Sequence, residues 1–209
     1  MSSLTASNEH ATSAKAATIQ PAWVRILHWT NAFAMVLMIM SGWRIYNASP
    51  LFDFTFSNAI TIGGWLGGAL LWHFAAMWIL MVNGLIYLAL GLATGRFRRK
   101  LLPITASGVI DDTRAALTGK LSHDDLTRYN HVQKLLYAGV IVIGVLVVLS
   151  GLAIWKPVQL QWLTALFGGY PIARYVHFFC MAAIVAFMVV HVALALIVPK
   201  SLRAMITGR

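Results

Sequence analysis

The stretch that decides the fold is the last hydrophobic run, residues 171–198, PIARYVHFFCMAAIVAFMVVHVALALIV. It has the length and composition of a helix that crosses a membrane. Its two histidines, His177 and His191, are fourteen positions apart. At about 100° per residue, fourteen steps end within about 40° of whole turns, so both imidazoles leave one face, about 21 Å apart along the axis. Ionisable groups inside a membrane are costly, so the pair predicts ligand binding at two depths; the alternative is two hydrogen-bonded core histidines.

Composition predicts an integral membrane protein, because 59% of the 209 residues are hydrophobic and 11% are charged, unlike a soluble domain. We predict an all-α membrane protein, a four-transmembrane-helix bundle that covers residues 21–199. A disordered tail, residues 1–20, precedes it, and a basic tail, residues 200–209, follows it. The N-terminal tail, residues 1–20, has no apolar run, and we therefore do not expect it to be a signal peptide. The four predicted spans are residues 23–46, 65–92, 132–155 and 172–198.

The basic residues are distributed unequally between the two sides of the predicted bundle. Only three of the sixteen, Arg44, Lys156 and Arg174, lie on the side opposite both termini. The positive-inside rule therefore places both termini and the connection between the second and third spans in the cytoplasm, with the chain in the bacterial inner membrane. This distribution accounts for the net charge of +10 without a nucleic-acid partner.

Two more histidines lie within the predicted spans. His28 matches His191 in depth near the cytoplasmic side, and His73 matches His177 near the outer side. A single zinc ion cannot be reached from both depths, and the spans contain no Asp or Glu for a proton relay. Two haems with two imidazoles each fit this pattern. Such irons have no open position for a substrate and carry electrons.

The remaining histidines and the single cysteine have other predicted roles. His123 and His131 lie outside the apolar spans and are not expected to bind haem. Cys180 is the only cysteine, which excludes a disulfide framework, an iron–sulfur cluster or a thiolate zinc site built by this chain alone. We interpret it as a small core residue.

The connections between spans contain further helix signals. Residues 96–100 predict a lipid-headgroup anchor. Ser122, followed by two aspartates, predicts the start of a helix that continues into the third span. Residues 158–167 predict a short amphipathic helix on the outer interface.

The third span contains Gly139, Gly144 and Gly151, which indicate close helix packing or room for a flat macrocycle, and both can hold in the same span. A weak internal similarity relates residues 37–46, LMIMSGWRIY, to residues 146–155, LVVLSGLAIW. It indicates either two helical hairpins of common ancestry or chance similarity of apolar strings. In this alignment His28 falls opposite Tyr137 and His191 opposite Tyr87, so the hairpins would not supply ligands symmetrically.

The sequence resembles the four-helix bacterial di-haem cytochrome b superfamily, which includes cytochrome b-561, the Ni,Fe-hydrogenase b-type cytochromes and the formate dehydrogenase gamma subunits. The resemblance covers roughly residues 23–198. It rests on Arg25-x-x-His28-Trp29, on His73, on Tyr129-Asn130-x-x-Gln133-Lys134, and on His177 with His191.

The resemblance implies two haem b groups on the same histidine pairs that depth predicts. It also implies a quinone beside the inner haem, near Tyr129, Asn130 and Gln133. An amide at the membrane surface can hydrogen-bond a quinone carbonyl. The alternative for Asn130 is a helix cap.

Within the superfamily, the chain looks closest to the cytochrome b subunits that accompany periplasmic molybdopterin oxidoreductases, through residues 150–170 and the string WKPV at 155–158. We therefore expect an electron-transfer subunit that links the quinone pool to a periplasmic redox partner. The oligomeric state is open, and a homodimer is one option. A structural or haem-shuttling role is a further alternative.

A different class of function is a stand-alone superoxide:ubiquinone oxidoreductase, which needs positive charge near an exposed outer haem edge. Arg44, Lys156 and Arg174 could supply this charge. Alternatively, arginines bind the haem propionates, and the candidates are Arg25, Arg44 and Arg174.

Overall fold

The computed structural model describes residues 19–118 and 129–208, apart from the side chains of residues 116 and 117. The described residues form helices and connections, as predicted, with one 3₁₀ turn at Asn58–Ile60. The helices are α1 (Ala22–Ala48), α2 (Leu66–Ala93), α3 (Arg96–Leu101), α4 (Ala106–Leu117), α5 (His131–Trp155), α6 (Gln161–Leu166), α7 (Tyr170–Ile197) and α8 (Pro199–Thr207).

Four of these helices, α1, α2, α5 and α7, are long and apolar enough to cross a membrane. They have 25 to 28 residues each, and a helix of that length is about 40 Å long, which exceeds the hydrocarbon core of a bilayer. They coincide with the four predicted spans to within a few residues at each end. The prediction of a four-helix membrane bundle is confirmed.

The four long helices pack as two antiparallel hairpins. α1 packs along α2 and α5 packs along α7, whereas the hairpins rarely bring their described backbones close together. Within the first hairpin, the buried Asn83 side chain donates to the Leu27 carbonyl at 2.9 Å, and Trp23 contacts Tyr87 with ring centroids 6.4 Å apart. The backbones of the two hairpins therefore lie farther apart than the two helices within each hairpin.

The helix ends define two faces of the bundle. The terminal face contains the start of α1, the end of α2, the start of α5, the end of α7, and α8. The connecting face contains the connections at residues 49–65 and 156–169. At this second face the hairpins touch, because Tyr46 of α1 packs on Phe178 of α7 at 5.3 Å and Arg174 donates to the Ser49 carbonyl.

At the terminal face, α8 binds the first helix. The Arg25 guanidinium donates to the Ile206 carbonyl at 2.7 Å, and the Trp29 indole donates to the Met205 carbonyl at 3.1 Å. Gly208 ends α8 with a φ of 89°, and its carbonyl accepts from the Ile19 backbone N–H at 2.9 Å. Most of the segment predicted as a basic tail thus forms a helix, and its Ala204 is buried at 3% exposure.

The start of α5 differs from the prediction. Asn130 is extended, with φ −71° and ψ 168°, and it caps a helix that begins at His131. A helix that continues without a break into the third span is therefore wrong, although its proposed start at Ser122 lies outside the described residues, as does His123. Asp112 of α4 fixes the new start, because its carboxylate accepts from the His131 backbone N–H at 2.6 Å.

The predicted amphipathic helix between the last two spans is present as α6, somewhat shorter than expected. Leu163 packs with Ala153 and Ala173 in a small buried cluster, and the Thr164 hydroxyl donates to the Ala153 carbonyl at 3.1 Å. The opposite side is exposed, including Trp162 at 67%. One side of α6 thus holds the connecting face together, and its position at the outer membrane interface stays a prediction.

Candidate haem sites

Two pairs of histidines face each other between the hairpins. His28 of α1 and His191 of α7 have ring centroids 6.0 Å apart. His73 of α2 and His177 of α7 have ring centroids 6.4 Å apart. We call them the terminal pair and the connecting pair, after the nearer face. These are the pairs that depth predicts.

The orientation of His73 is set by a serine and a glycine of α1. The Ser41 hydroxyl donates to the Leu37 carbonyl at 2.6 Å, and its oxygen lies 3.0 Å from His73 Nδ1. Since the hydroxyl proton is used on the carbonyl, the oxygen accepts from an Nδ1–H group. The next residue, Gly42, lies so close that an added Cβ would be 3.4 Å from His73 Cε1.

His177 has the same arrangement in the second hairpin. The Ser150 hydroxyl donates to the Leu146 carbonyl at 2.8 Å, and its oxygen lies 3.2 Å from His177 Nδ1. The Val147 carbonyl also accepts from His177 Nδ1, at 2.9 Å. An added Cβ on Gly151 would be 3.1 Å from His177 Cε1. In both members of the connecting pair Nδ1 therefore holds a proton, and Nε2 keeps a free lone pair for a metal.

This repetition supports the interpretation of two related hairpins. Ser41-Gly42 and Ser150-Gly151 occupy matching positions in the internal similarity, and each contacts a histidine of the helix that follows in its own hairpin. A chance similarity of apolar strings predicts no common contact of this kind.

The terminal pair is held by aromatic rings instead. Trp29 contacts His28 edge-on at 5.4 Å, and Phe187 stacks on His191 at 5.6 Å with 12° between the planes. Among the described residues, no side chain or carbonyl is hydrogen-bonded to the imidazole nitrogens of His28 or His191. The ring nitrogens of this pair are thus positioned by packing.

The predicted quinone residues lie together at the terminal face. The Asn130 side-chain oxygen accepts from Gln133 N at 2.7 Å, and the Gln133 side-chain oxygen accepts from Asn130 N at 3.2 Å. The helix-cap alternative for Asn130 is therefore confirmed, and both amide oxygens are in use. The two amide NH₂ groups have no hydrogen-bond partner among the described residues and remain available as donors. Tyr129 packs on Tyr137, about two helical turns further along, at 5.0 Å.

The three arginines proposed to bind haem propionates differ in the hydrogen bonds that they already make within the chain. Arg44 donates to the Asn58 side chain and to the Gly64 carbonyl, and Arg174 donates to Ser49. Arg25 keeps a buried Nε with no hydrogen-bond partner in the described part of the chain.

Trp43 Nε1 is a second buried N–H group without a partner among the described residues. Its indole stacks on Phe56 at 4.7 Å. Arg25 and Trp43 lie toward opposite ends of α1, so one unused donor is found near each histidine pair. Trp43 was missed in the sequence because an interfacial tryptophan normally indicates only a membrane anchor.

A compact metal centre has no support among residues 19–118 and 129–208, where no three or more His, Cys, Asp or Glu side chains come together. The histidines meet only two at a time. Pairs of opposed imidazoles suit a metal whose other ligands come from a macrocycle.

Comparison with known proteins decides the family. Residues 19–208 match the prokaryotic cytochrome b561 family. The chain belongs to this family. This cytochrome b is also 52% identical over 190 residues, covering 91% of its own length and 96% of the relative, to the putative protein-methionine-sulfoxide reductase subunit YedZ1 of Azospira oryzae. The resemblance found in the sequence is confirmed. Membership implies a membrane electron-transfer protein that carries haem b.

The histidine pairs fit such a group. When one metal binds two opposed imidazoles at about 2 Å from each nitrogen, the ring centroids are about 6 Å apart, close to the observed 6.0 and 6.4 Å. The wide spacing of the hairpin backbones is compatible with a macrocycle between them. An added Cβ at Gly139 or Gly144 would meet nothing within 4 Å in the described chain. Close packing is therefore wrong for these two glycines and holds only for Gly151, against His177.

Proposed function

We propose that this cytochrome b binds two haem b groups and passes electrons across the membrane between the quinone pool and a periplasmic redox partner. The connecting pair, His73 and His177, holds the outer haem. The terminal pair, His28 and His191, holds the inner haem. The observation that carries the proposal is the two imidazole pairs, each at the separation that one iron requires and each joining one hairpin to the other.

The terminal face is proposed to lie in the cytoplasm. Most of the basic residues belong to segments at this face or to the adjoining tail and connection, and positive residues are retained on the cytoplasmic side of the bacterial inner membrane. The two haems would then lie at two depths, about 21 Å apart along α7. Electrons can thus cross most of the bilayer in one step between carriers.

A haem in these positions supplies a one-electron Fe(III)/Fe(II) couple and no substrate position at the metal. The residues of the chain bind the quinone and the haem propionates. The amide NH₂ groups of Asn130 and Gln133 donate to a quinone carbonyl at the terminal face. The unpartnered N–H groups of Arg25 and Trp43 suit the two sets of propionates. Arg44 and Arg174 already donate to the chain, and each guanidinium keeps further N–H groups that can donate to propionates.

The partner is proposed to be a periplasmic oxidoreductase of the molybdopterin type. The relative in Azospira oryzae is named as a subunit of a protein-methionine-sulfoxide reductase, which supports electron flow outward from quinol. Oxidation of one quinol releases two electrons and two protons. Reduction of one methionine sulfoxide consumes two of each and yields methionine and water, so the two half-reactions balance.

The superoxide alternative gains no support. Its three candidate cations already contact the chain, because Arg44 and Arg174 bind the loops of the connecting face and Lys156 lies over the Trp155 ring at 4.8 Å. Arg44 and Arg174 thus hold the loops of the connecting face, which accounts for these two cations without a superoxide site.

The test uses the full chain purified in detergent. A reduced-minus-oxidised absorption spectrum should show b-type haem, and a pyridine haemochrome assay should give two haems per chain. A quinol analogue added under anaerobic conditions should reduce both. A colourless chain, or one haem per chain, would overturn the proposal. Reduction by superoxide without any response to quinol would favour the alternative.

A further inference from the structure

The two histidine pairs differ in what their ring nitrogens contact. Each member of the connecting pair has an Nδ1 bound to a serine oxygen, at 3.0 Å for His73 and 3.2 Å for His177. The terminal pair has aromatic neighbours and no hydrogen bond to a ring nitrogen among the described residues. In each hairpin, the histidine nearer the connecting face has a serine acceptor on its ring, and the histidine nearer the terminal face has none among the described residues.

Both serines are completely buried, with 0% exposure. Each uses its proton on the carbonyl four residues earlier, at 2.6 Å for Ser41 and 2.8 Å for Ser150. The hydroxyl is therefore polarised by a helix carbonyl while its oxygen accepts from the imidazole, and such chains of hydrogen bonds strengthen each other.

An acceptor on Nδ1–H raises the basicity of the opposite nitrogen. A more basic axial ligand stabilises ferric over ferrous haem and so lowers the reduction potential, one of the main ways in which a protein tunes haem. Two such acceptors on one iron, and none on the other, would separate the potentials of two otherwise similar centres.

We infer that Ser41 and Ser150 are positioning residues that lower the reduction potential of the haem on His73 and His177, through the hydrogen bonds to Nδ1, and leave the haem on His28 and His191 unchanged. The inference rests on the proposed function, because it presupposes both haems. It goes beyond that function by assigning an electronic role to two residues that act through the histidines.

The test is a redox titration of the full chain, followed by haem absorption, for wild type, Ser41→Ala, Ser150→Ala and the double variant. One of the two transitions should move to higher potential, by roughly three- to tenfold in the ferrous-to-ferric ratio per serine, tenfold being 59 mV for one electron. The second transition should not move. The two single variants should have similar effects, because each histidine retains a backbone carbonyl beside it, Met38 for His73 and Val147 for His177.

The matched control is Thr164→Val. Thr164 is buried and also donates its hydroxyl to backbone carbonyls near the connecting face, at 3.1 Å to Ala153, without touching a histidine. It should leave both potentials unchanged. A shift of equal size in this control would overturn the inference, as would equal shifts of both transitions or no shift in the serine variants.

Two further measurements separate this inference from the function on which it rests. In a His28→Ala background that retains a single haem, the serine effect should persist on the one remaining transition, and its disappearance would contradict the assignment. If the alanine variants lose haem, Ser41→Cys and Ser150→Cys keep the volume with a weak acceptor and should shift the potential in the same direction. A wild-type chain with fewer than two haems refutes the proposed function instead.

Discussion

Gly151 lies directly against the imidazole of His177, so that a Cβ on residue 151 would be 3.1 Å from Cε1 and 3.4 Å from Nδ1. The equivalent contact in the first hairpin is slightly looser, with 3.4 Å between a Cβ on Gly42 and His73 Cε1. Each helix approaches a histidine closely because one residue of that helix has no side chain. The glycine after each serine is thus part of how the histidine is held.

The first prediction concerns these glycines. Gly151→Ala should displace the His177 ring by a few tenths of an ångström, because the added methyl is closer than ordinary van der Waals contact. We expect a changed spectrum and partial loss of one haem. Gly42→Ala, with more room, should retain both haems and a nearly normal spectrum. If the two variants lose haem to the same extent, the difference in space beside the two histidines does not affect haem binding, and the prediction is wrong.

The second prediction concerns ligand loss. His177→Ala should remove the outer haem and leave one haem per chain by pyridine haemochrome assay, since one imidazole alone cannot fill both axial positions. The control is His131→Ala, which replaces a histidine at the start of α5 outside both pairs and should retain two. Two haems in His177→Ala would refute the assignment.

The third prediction separates the cap from the quinone contact. Asn130→Asp and Gln133→Glu each keep the oxygen that accepts in the capping box and remove the NH₂ donor. Both variants should keep two haems and wild-type thermal stability and yet slow quinol-driven haem reduction, measured by stopped flow. Asn130→Ala should in addition lower the stability, by about 1 kcal/mol.

The controls for that prediction follow from the same geometry. If Asn130→Asp reduces haem with quinol at the wild-type rate, residue 130 serves only as a cap and the quinone binds elsewhere. If Asn130→Asp loses haem or stability, the cap geometry itself is misassigned.

The fourth prediction concerns the docking of α8. Trp29→Phe removes the donor to the Met205 carbonyl and should lower the free energy of unfolding by about 1 kcal/mol, since one partly exposed hydrogen bond is lost. Thermal denaturation in detergent measures this. Trp162→Phe changes an exposed ring of α6 and should have almost no effect; if both variants lose the same stability, the α8 contact contributes nothing specific.

The sequence predicted the four membrane helices because a long apolar run has few folded alternatives in a bilayer. It also predicted the histidine pairs, because depth along a helix is simply position in the chain. The internal similarity pointed to the Ser-Gly repeat. The contact of each serine with a histidine, however, depends on how each helix is rotated about its own axis relative to its neighbour. Such rotations depend on packing and have no local signature.

The short elements were harder to predict. α3, α4 and α8 are held by contacts between distant parts of the chain, such as Asp112 with the start of α5 and Arg25 with Ile206. Local signals at Ser122 favoured an earlier helix start, whereas the capping box of Asn130 and Gln133 sets the observed one. The box can be recognised in the sequence, but its match to a family motif suggested a ligand contact instead.

The wide spacing of the hairpin backbones bears on how the protein is made. The two hairpins meet at the connecting face and through α8, and between these points their backbones lie apart and the histidine pairs face each other. On the proposed function, each haem binds one histidine from each hairpin and so links the two hairpins. A newly inserted chain in a haem-starved cell would lack these two links. Membrane proteases recognise such loosely joined chains, and the steady-state amount of this cytochrome should therefore follow the supply of haem as well as transcription.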